Sequence, residues 1–307
     1  MEQLFYEKLE GIIAAERLLR DEPLSAHTTF RIGGPADCYI AAKNEQELAA
    51  VLECCRKEQI PFFLIGRGSN LLVSDMGFQG VVLRMTGALA GVEFSEKENC
   101  IMAKVGAGRS LGQFAREAAE HGAGGFAFAA GIPGSVGGAV CMNAGAYGGE
   151  MKDVLVRVRY MTQDGTIHTK EAAELGLAYR SSIFQRESWY VLEAEFAFER
   201  SEKETVFAQI EELARKRMEK QPLEYPSAGS TFKRPEGNFA GKLIMDSGLA
   251  GFACGGARVS EKHCGFVINA GNATARDVMN VITGVQKSVK EKYGIMLEPE
   301  VRFVGEF

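Results

Sequence analysis

Two glycine-dense segments contain the residues whose types and spacing could do chemistry. The first is the run Gly66-Arg-Gly-Ser-Asn70, and the second holds ten of the chain's 36 glycines within residues 121–150. Glycine tolerates positive φ and lets backbone N–H groups approach an anion, so such loops can form a concave nest for phosphate. Serine and asparagine add side-chain donors in both segments: Ser69, Asn70, Ser135 and Asn143. A lone G-x-G is usually a tight turn, but two dense segments of this composition predict phosphate binding.

The spacing of these glycines disfavours the familiar nucleotide motifs. Leu71 occupies the third glycine position of a dinucleotide-binding G-x-G-x-x-G, and Leu71–Val73 is typical of extended chain rather than of a helix N-terminus. Residues 237–243 come nearest to a phosphate loop but lack its spacing and its hydroxyl. A dinucleotide site of another kind remains, in which two loops lie on either side of one pyrophosphate.

Helices and strands that alternate along the whole chain must position these loops. Apolar periodicity predicts an amphipathic helix over residues 3–19, and Asn44 with Glu47 resembles a capping box that opens the next helix. Asp164-Gly165 predicts a hairpin turn, and residues 295–304 a last strand. No internal repeat is visible, and strands mixed with helices throughout the chain predict the fold class α+β. A polar joint predicts a domain boundary near residue 203.

Composition excludes several classes of function. The 35 basic and 40 acidic residues leave a net charge of −5, which argues against general nucleic-acid binding. The acidic N-terminal segment is not typical of a signal peptide. Seven cysteines without a C-x-x-C pattern indicate reduced thiols in a cytoplasmic protein. Cys254, His263 and Cys264 match no zinc spacing, so no metal is predicted.

Seven motifs, in order from residue 27 to residue 302, resemble the UDP-N-acetylenolpyruvoylglucosamine reductase family. They are HTTFRIGG at 27–34, IGRGSNLL at 65–72, GIPGSVGG at 131–138, NAGAYG at 143–148, YRSSIF at 179–184, SAGSTFK at 227–233 and LEPEVR at 297–302. Because they follow one another over nearly the whole chain, chance similarity is a poor explanation for them.

The resemblance implies a cytoplasmic flavoprotein of peptidoglycan precursor synthesis, with non-covalent FAD and with NADPH as co-substrate. Residues 1–203 would form a two-subdomain FAD-binding domain of the vanillyl-alcohol oxidase type, and residues 204–294 a smaller α+β substrate-binding domain. The last strand, within residues 295–307, would return to the FAD domain. The residues expected to bind FAD are Gly66, Arg67, Gly68, Ser69, Asn70, Leu71, Gly131, Ile132, Pro133, Gly134, Ser135, Gly137, Gly138, Asn143, Ala144 and Gly145.

The implied reaction reduces an enolpyruvyl ether to a lactyl ether. Hydride adds to the vinyl carbon remote from the carboxylate, negative charge develops on the enolate, and the adjacent carbon is protonated. Such chemistry needs a fixed cation or hydrogen-bond donor at the carboxylate and a nearby acid. The family motifs assign the enolate to Arg180, the proton to Ser230 and assistance at the enolate to Glu300.

The resemblance also implies the substrate, UDP-N-acetylglucosamine enolpyruvate, and residues that contact it. These are Tyr147, Arg217, Lys220 and Arg234. Residues 179–189 are too short for the tyrosine-bearing loop of longer family members, so the chain is similar to the compact type. No nucleic-acid, membrane or protein partner is predicted.

Two alternatives stay open. One is an FAD-dependent oxidase or dehydrogenase of the vanillyl-alcohol oxidase group with covalently attached flavin, for which His27 is the candidate histidine. The other is a nucleotide-binding module without turnover.

Overall fold

The computed structural model describes residues 3–307, and contacts divide the chain into two units. The first unit comprises the residues up to Leu19 together with Cys38–Gly66 and Gly80–Lys216. The second comprises Arg20–Asp37, Arg67–Gln79 and Arg217–Phe307. Each unit therefore combines three segments of the chain.

Helices and strands are mixed along the chain, which confirms the α+β class. The α-helices are α1 (Gln3–Glu10), α2 (Glu45–Lys57), α3 (Leu111–Glu120), α4 (Val136–Cys141), α5 (Ile183–Arg186), α6 (Lys203–Lys220), α7 (Ala240–Asp246) and α8 (Ala275–Tyr293). The strands are β1 (Leu18–Pro23), β2 (Pro35–Ala42), β3 (Phe62–Ile65), β4 (Leu71–Val73), β5 (Phe78–Met85), β6 (Val92–Glu96), β7 (Cys100–Gly106), β8 (Gly145–Ala146), β9 (Gly149–Glu150), β10 (Leu155–Met161), β11 (Ile167–Glu171), β12 (Tyr190–Glu199), β13 (Ala253–Cys254), β14 (Ala257–Val259), β15 (Val267–Asn269) and β16 (Arg302–Val304).

An antiparallel five-stranded sheet of order β11-β10-β12-β7-β6 forms the framework of the first unit. Aromatic side chains fill its core: the Phe114 ring lies 5.1 Å from that of Phe126 and 5.2 Å from that of Phe196, measured between centroids. A four-stranded sheet has the order β1-β2-β5-β3. Burial of the apolar faces stabilises these sheets, and the sheets in turn position the loops that leave the strand ends.

The second unit contains the three-stranded sheet β13-β14-β15, a parallel pair of β4 with β16, and the long helix α8. The apolar face of α8 is buried in a core that also contains Phe30, Leu72 and Phe232. The Asp75 carboxylate accepts the first backbone N–H groups of α8, from Ala275 at 2.7 Å and Arg276 at 3.1 Å. An acceptor from outside the helix thus satisfies donors that lack an intrahelical partner.

The predicted amphipathic helix over 3–19 is wrong in extent. Helix α1 ends at Glu10, and Leu18 already begins β1. Gly11 follows the last helical residue, and glycine favours helix termination. The buried apolar residues beyond it, Ile13 and Leu18, therefore lie outside the helix. The last strand is also shorter than predicted, because only Arg302–Val304 pairs with β4.

One local prediction is confirmed in part and another in full. The Asn44 side chain accepts the Glu47 backbone N–H at 2.8 Å and caps α2. The Glu47 carboxylate accepts the Lys43 N–H at 2.7 Å rather than the Asn44 N–H, so the predicted capping box is not reciprocal. The turn at Asp164-Gly165 joins β10 and β11 in an antiparallel hairpin. The domain boundary near residue 203 stays a prediction, because the division of the chain into two units by residue contacts does not test which segments fold independently.

Candidate active site

The two glycine-dense segments meet within the first unit, at Gly66 and Ser135. A Cβ atom added at Gly66 would collide with Ser135 Oγ and would lie 3.4 Å from Ser135 Cβ. Only glycine therefore leaves room for the close approach of these two loops. The composition of the two segments predicted that they lie on either side of one ligand, and the structure brings them into contact.

Ser135 opens the short helix α4 and orders the second loop. Its Oγ accepts the Gly138 backbone N–H at 3.3 Å, and the side chain is buried. The neighbouring Gly137 N–H donates to the Ala107 carbonyl at 2.9 Å, which ties the loop to the end of β7. Gly66, Gly131 and Gly138 are exposed, so bare backbone faces outward from a fixed loop. This arrangement fits the pyrophosphate of a dinucleotide such as FAD.

Asn143 contributes to this loop through internal hydrogen bonds. Its side chain is fully buried: Nδ2 donates to Glu150 Oε2 at 3.0 Å and to the Ala178 carbonyl at 3.2 Å, while Oδ1 accepts the Lys152 backbone N–H at 3.0 Å. Both amide hydrogens are used, so the side chain is not available as the phosphate donor suggested by the sequence. Its role is to hold residues 143–152 against the segment that carries Arg180.

Arg180 lies at the end of that segment in a strained backbone conformation. Its φ of 53° is in the left-handed region, which is uncommon for a residue with a side chain and is concentrated at functional sites. The guanidinium Nη2 lies 3.4 Å from the Gly145 carbonyl, and the cation sits 4.9 Å above the ring of Tyr179. The Gln185 side chain donates to the Arg180 carbonyl at 3.1 Å. These contacts fix a positive charge beside the second glycine loop.

Glu150 is the acidic neighbour of this arginine. The Lys152 ammonium lowers the pKa of the Glu150 carboxyl, and the Asn143 amide and the charge of Arg180 act in the same direction. Glu150 is therefore ionised at neutral pH and contributes a negative charge next to Arg180. Tyr147, on the turn between β8 and β9, is exposed and also has a positive φ of 53°.

The first glycine loop continues into the second unit at Arg67. A Cβ added at Gly68, whose φ is 61°, would overlap the His27 carbonyl oxygen, so glycine is required here as well. Ser69 and Asn70 are half-buried, and Leu71 begins β4. The Asn70 side chain donates to the Glu300 carbonyl at 3.0 Å. The predicted FAD loop is thus tied to the predicted catalytic glutamate.

Ser230 and Glu300 lie on neighbouring segments of the second unit. The Glu300 backbone N–H donates to the carbonyl of Thr231, the residue after Ser230, at 2.8 Å. Gly229 precedes the serine with a φ of 75°, and Ser230 itself is exposed. Motif matching predicted both residues from positions 70 apart in the sequence. It missed Thr231, whose role only its burial and hydrogen bonds reveal.

The remaining predicted substrate contacts are basic residues of the second unit. Arg217 and Lys220 occupy the last turn of α6, where Lys220 is exposed. The Arg234 guanidinium lies 4.9 Å above the ring of Phe239, in a cation–π contact beside an exposed aromatic side chain. Each of these residues presents positive charge at the surface of its own unit.

The described part of the chain, residues 3–307, lacks two kinds of feature. Within that range no helix combines the length and apolar character that crossing a bilayer requires. In the same part of the chain, His, Cys, Asp and Glu side chains form no cluster of three or more that could hold a metal ion.

Comparison with known proteins matches both parts of the chain to families. Residues 36–170 match the family model described as FAD binding domain. Residues 221–304 match the model described as UDP-N-acetylenolpyruvoylglucosamine reductase, C-terminal domain. The first model covers both glycine segments, and the second covers the segments of Ser230 and Glu300.

Full-length relatives extend these matches. The chain is 53% identical over 306 residues to UDP-N-acetylenolpyruvoylglucosamine reductase of Lachnoclostridium phytofermentans, covering 100% of this chain and 99% of the relative. It is 48% identical to the protein of the same name from Caldanaerobacter subterraneus, with complete coverage of both. The crystal structure of UDP-N-acetylenolpyruvylglucosamine reductase from Thermus caldophilus superposes with a TM-score of 0.78 at 34% identity, covering 94% of this chain and 98% of that one. These matches also support the FAD-binding fold.

Proposed function

The chain belongs to the UDP-N-acetylenolpyruvoylglucosamine reductase family, and from this premise we propose how its own residues carry out the reduction. It is an FAD-dependent oxidoreductase of peptidoglycan synthesis that reduces the enolpyruvyl ether of UDP-N-acetylglucosamine, with NADPH as the reductant. Bound FAD supplies the hydride that adds to the vinyl carbon remote from the carboxylate. The protein must orient the enolpyruvyl group, stabilise the enolate and deliver a proton.

Arg180 pairs with the substrate carboxylate and stabilises the negative charge that develops there. A guanidinium keeps its charge at all relevant pH values and can donate two parallel hydrogen bonds to a carboxylate. The strained φ of 53° and the contacts with Gly145 and Tyr179 support this role, because they hold the cation in one place before substrate arrives.

Ser230 donates the proton to the carbon next to the carboxylate, and Glu300 assists at the enolate. The observation that carries this assignment is the 2.8 Å hydrogen bond from the Glu300 N–H to the Thr231 carbonyl, which brings the two segments side by side. A serine hydroxyl is a weak acid in water, so neighbouring groups must stabilise its deprotonated form and then return a proton to it. The exposure of Ser230 leaves its hydroxyl open to substrate.

The glycine loops would hold the FAD pyrophosphate through backbone N–H groups. Exposed backbone at Gly66 and Gly131 supports this assignment. Tyr147, Arg217, Lys220 and Arg234 are proposed to contact the sugar nucleotide, with the cations serving its diphosphate. The proposed compartment is the cytoplasm, where the nucleotide-linked substrate and NADPH meet.

The test is NADPH oxidation by the purified flavoprotein. We expect absorbance at 340 nm to fall when UDP-N-acetylglucosamine enolpyruvate is added and to remain nearly constant without it. Absence of that dependence would contradict the proposal and favour a nucleotide-binding module without turnover. Acid precipitation separates the remaining alternative: flavin released into the supernatant is expected, whereas flavin retained by the precipitate indicates covalent attachment.

A further inference from the structure

Thr231 is a polar side chain buried between the segments that carry the proposed acid and its partner. Only 1% of Thr231 is exposed. Of its two neighbours, Ser230 is exposed and Phe232 packs into the apolar core. A buried hydroxyl without a hydrogen-bond partner is costly, so the partners of Thr231 indicate what it does.

Three polar groups of Thr231 contact two other segments, residues 265–267 and the Glu300 segment. Its backbone N–H donates to the Gly265 carbonyl at 2.8 Å, and its carbonyl accepts the Glu300 N–H at 2.8 Å. Its side-chain Oγ1 accepts the Val267 backbone N–H at 2.9 Å. One residue thus joins the Ser230 turn, the Glu300 segment and strand β15.

The segment before Ser230 also contacts β15: Ser227 bridges Ile268, and the Asn269 N–H donates to the Pro226 carbonyl at 2.9 Å. The Thr231 hydroxyl adds the side-chain contact with β15 next to Ser230.

The Ser230 and Glu300 segments also pair beyond Thr231. Phe232 forms an antiparallel bridge with Pro299, and the Lys233 N–H donates to the Glu298 carbonyl at 2.9 Å. Strand β15 is in turn held by β14, with Val267 opposite Val259. The side-chain hydroxyl therefore connects the paired Ser230 and Glu300 segments to a sheet that has its own ladder of hydrogen bonds.

We propose that Thr231 is a positioning residue for the reduction, whose hydroxyl fixes Ser230 and Glu300 relative to each other by anchoring both segments to β15. The inference rests on the proposed roles of Ser230 and Glu300. Thr231 itself touches no reacting atom in this scheme. It acts by limiting the displacement of the serine hydroxyl, and displacements of about 1 Å at a reacting group can cost roughly a hundredfold in rate.

The test compares Thr231→Val with Thr231→Ser in the FAD-loaded protein. Valine has nearly the same shape and retains both backbone hydrogen bonds, but it offers no acceptor to the Val267 N–H. We expect kcat for sugar-nucleotide reduction to fall about 10- to 100-fold, while KM changes less than about threefold. Flavin reduction by NADPH alone should stay within about twofold of the parent. Serine restores the acceptor and should restore kcat to within about threefold.

A second readout does not depend on turnover. Amide hydrogen exchange at Val267 and Glu300 should accelerate in Thr231→Val and return to the parent rate in Thr231→Ser. If the valine variant does not fold, Thr231→Cys replaces it, because sulfur is a weak acceptor of similar size and should give the same pattern with smaller effects.

Ser230→Ala is measured in parallel to separate two kinds of failure. If Ser230→Ala retains sugar-nucleotide reduction, the proposed acid is wrong and the premise of this inference fails with it. If Ser230→Ala is inactive but Thr231→Val matches the parent in kcat, the positioning role alone is wrong. Equal loss of both half-reactions in Thr231→Val, or no rescue by serine, also overturns it.

Discussion

The Asn70 side chain donates a hydrogen bond to the Glu300 carbonyl across 3.0 Å, although 230 positions separate the two residues. The Arg302 backbone N–H returns a bond to the Asn70 carbonyl at 3.0 Å, as β16 begins to pair with β4. The asparagine that motif resemblance assigns to the FAD loop is thus also a structural support for the glutamate assigned to catalysis. A change in one position should be felt at the other.

We expect Asn70→Ala to lower the free energy of unfolding by about 1 kcal/mol, the net contribution of one such hydrogen bond. Asn70→Asp should cost more, because it places a carboxylate oxygen where the N–H faced the Glu300 carbonyl. Both variants should also slow sugar-nucleotide reduction. Urea denaturation and steady-state rates provide the measurements.

Asn238→Ala is the matched control for this prediction. Its side chain donates to the Glu236 carbonyl at 3.1 Å, an exposed bond within one turn, so its loss should leave both stability and rate nearly unchanged. Equal effects of the alanine substitutions at positions 70 and 238 would show that the long-range bond has no special importance.

Ser230→Ala should separate the two halves of the reaction. Removal of the hydroxyl deletes the proposed proton donor but no predicted contact with FAD, so reduction of the flavin by NADPH should survive. Sugar-nucleotide reduction should fall by at least about a hundredfold, the lower range for loss of a general acid. Stopped-flow absorbance follows both steps, and a uniform loss in the two would remove Ser230 from the proton-donor role.

Gly66→Ala should weaken FAD retention because its methyl group would overlap Ser135 Oγ. Ser135→Ala should itself cost roughly 1 kcal/mol of stability through loss of the α4 cap. In the double variant the hydroxyl that causes the overlap is absent, and the two Cβ atoms would be 3.4 Å apart. We therefore expect the double variant to retain more flavin than Gly66→Ala.

Flavin content per protein, from absorbance after gel filtration, measures this effect. Gly11→Ala is the control, since a Cβ there would lie 3.4 Å from the Lys8 carbonyl oxygen and 3.8 Å from that of Glu7, which are ordinary contacts. Additive losses in the double variant would mean that the close approach of Gly66 and Ser135 does not matter for the cofactor.

Glycine composition and a local capping signal predicted two features that the structure contains. The glycine segments predicted two loops around one ligand; the structure brings Gly66 against Ser135, and the shared ligand stays a prediction. Asn44 correctly predicted the start of α2. Helix extent was less predictable, because the apolar spacing continues beyond Gly11 while the chain does not remain helical. Apolar periodicity indicates which residues are buried, but it does not determine whether the backbone there is helical or extended.

The long-range hydrogen bonds of the site lay outside the reach of sequence reasoning. Asn143 has a side chain that could donate to phosphate, yet its amide N–H groups donate to Glu150 and to the Ala178 carbonyl instead. Thr231 lies within the motif at 227–233, but the motif resemblance gave it no role; the structure shows that it links three segments. Only tertiary pairing decides whether a polar side chain faces a ligand or another part of the chain.

We predict that titration of His263 lowers the free energy of unfolding in mild acid. Burial lowers the pKa of its imidazole, and Nδ1 accepts the Gly265 N–H at 3.1 Å, which requires the neutral ring. Gly265 in turn accepts the Thr231 N–H, so protonation would disturb the loop beside the proposed acid. Asparagine can present an oxygen near the position of Nδ1 without titrating, so His263→Asn is the matched variant.

The sign follows from proton uptake. The unfolded chain binds the proton near pH 6.5, whereas the folded chain binds it only at lower pH, so more protons are bound in the unfolded state between these values. The contribution of His263 to stability is therefore complete above about pH 7 and declines as pH falls below about 6.5, by at most about 1.4 kcal/mol per pH unit for one proton. The difference in unfolding free energy between the parent and His263→Asn, measured by urea denaturation from pH 8 to pH 5, should fall in that window. A difference that stays constant with pH would show that His263 is not the titrating group.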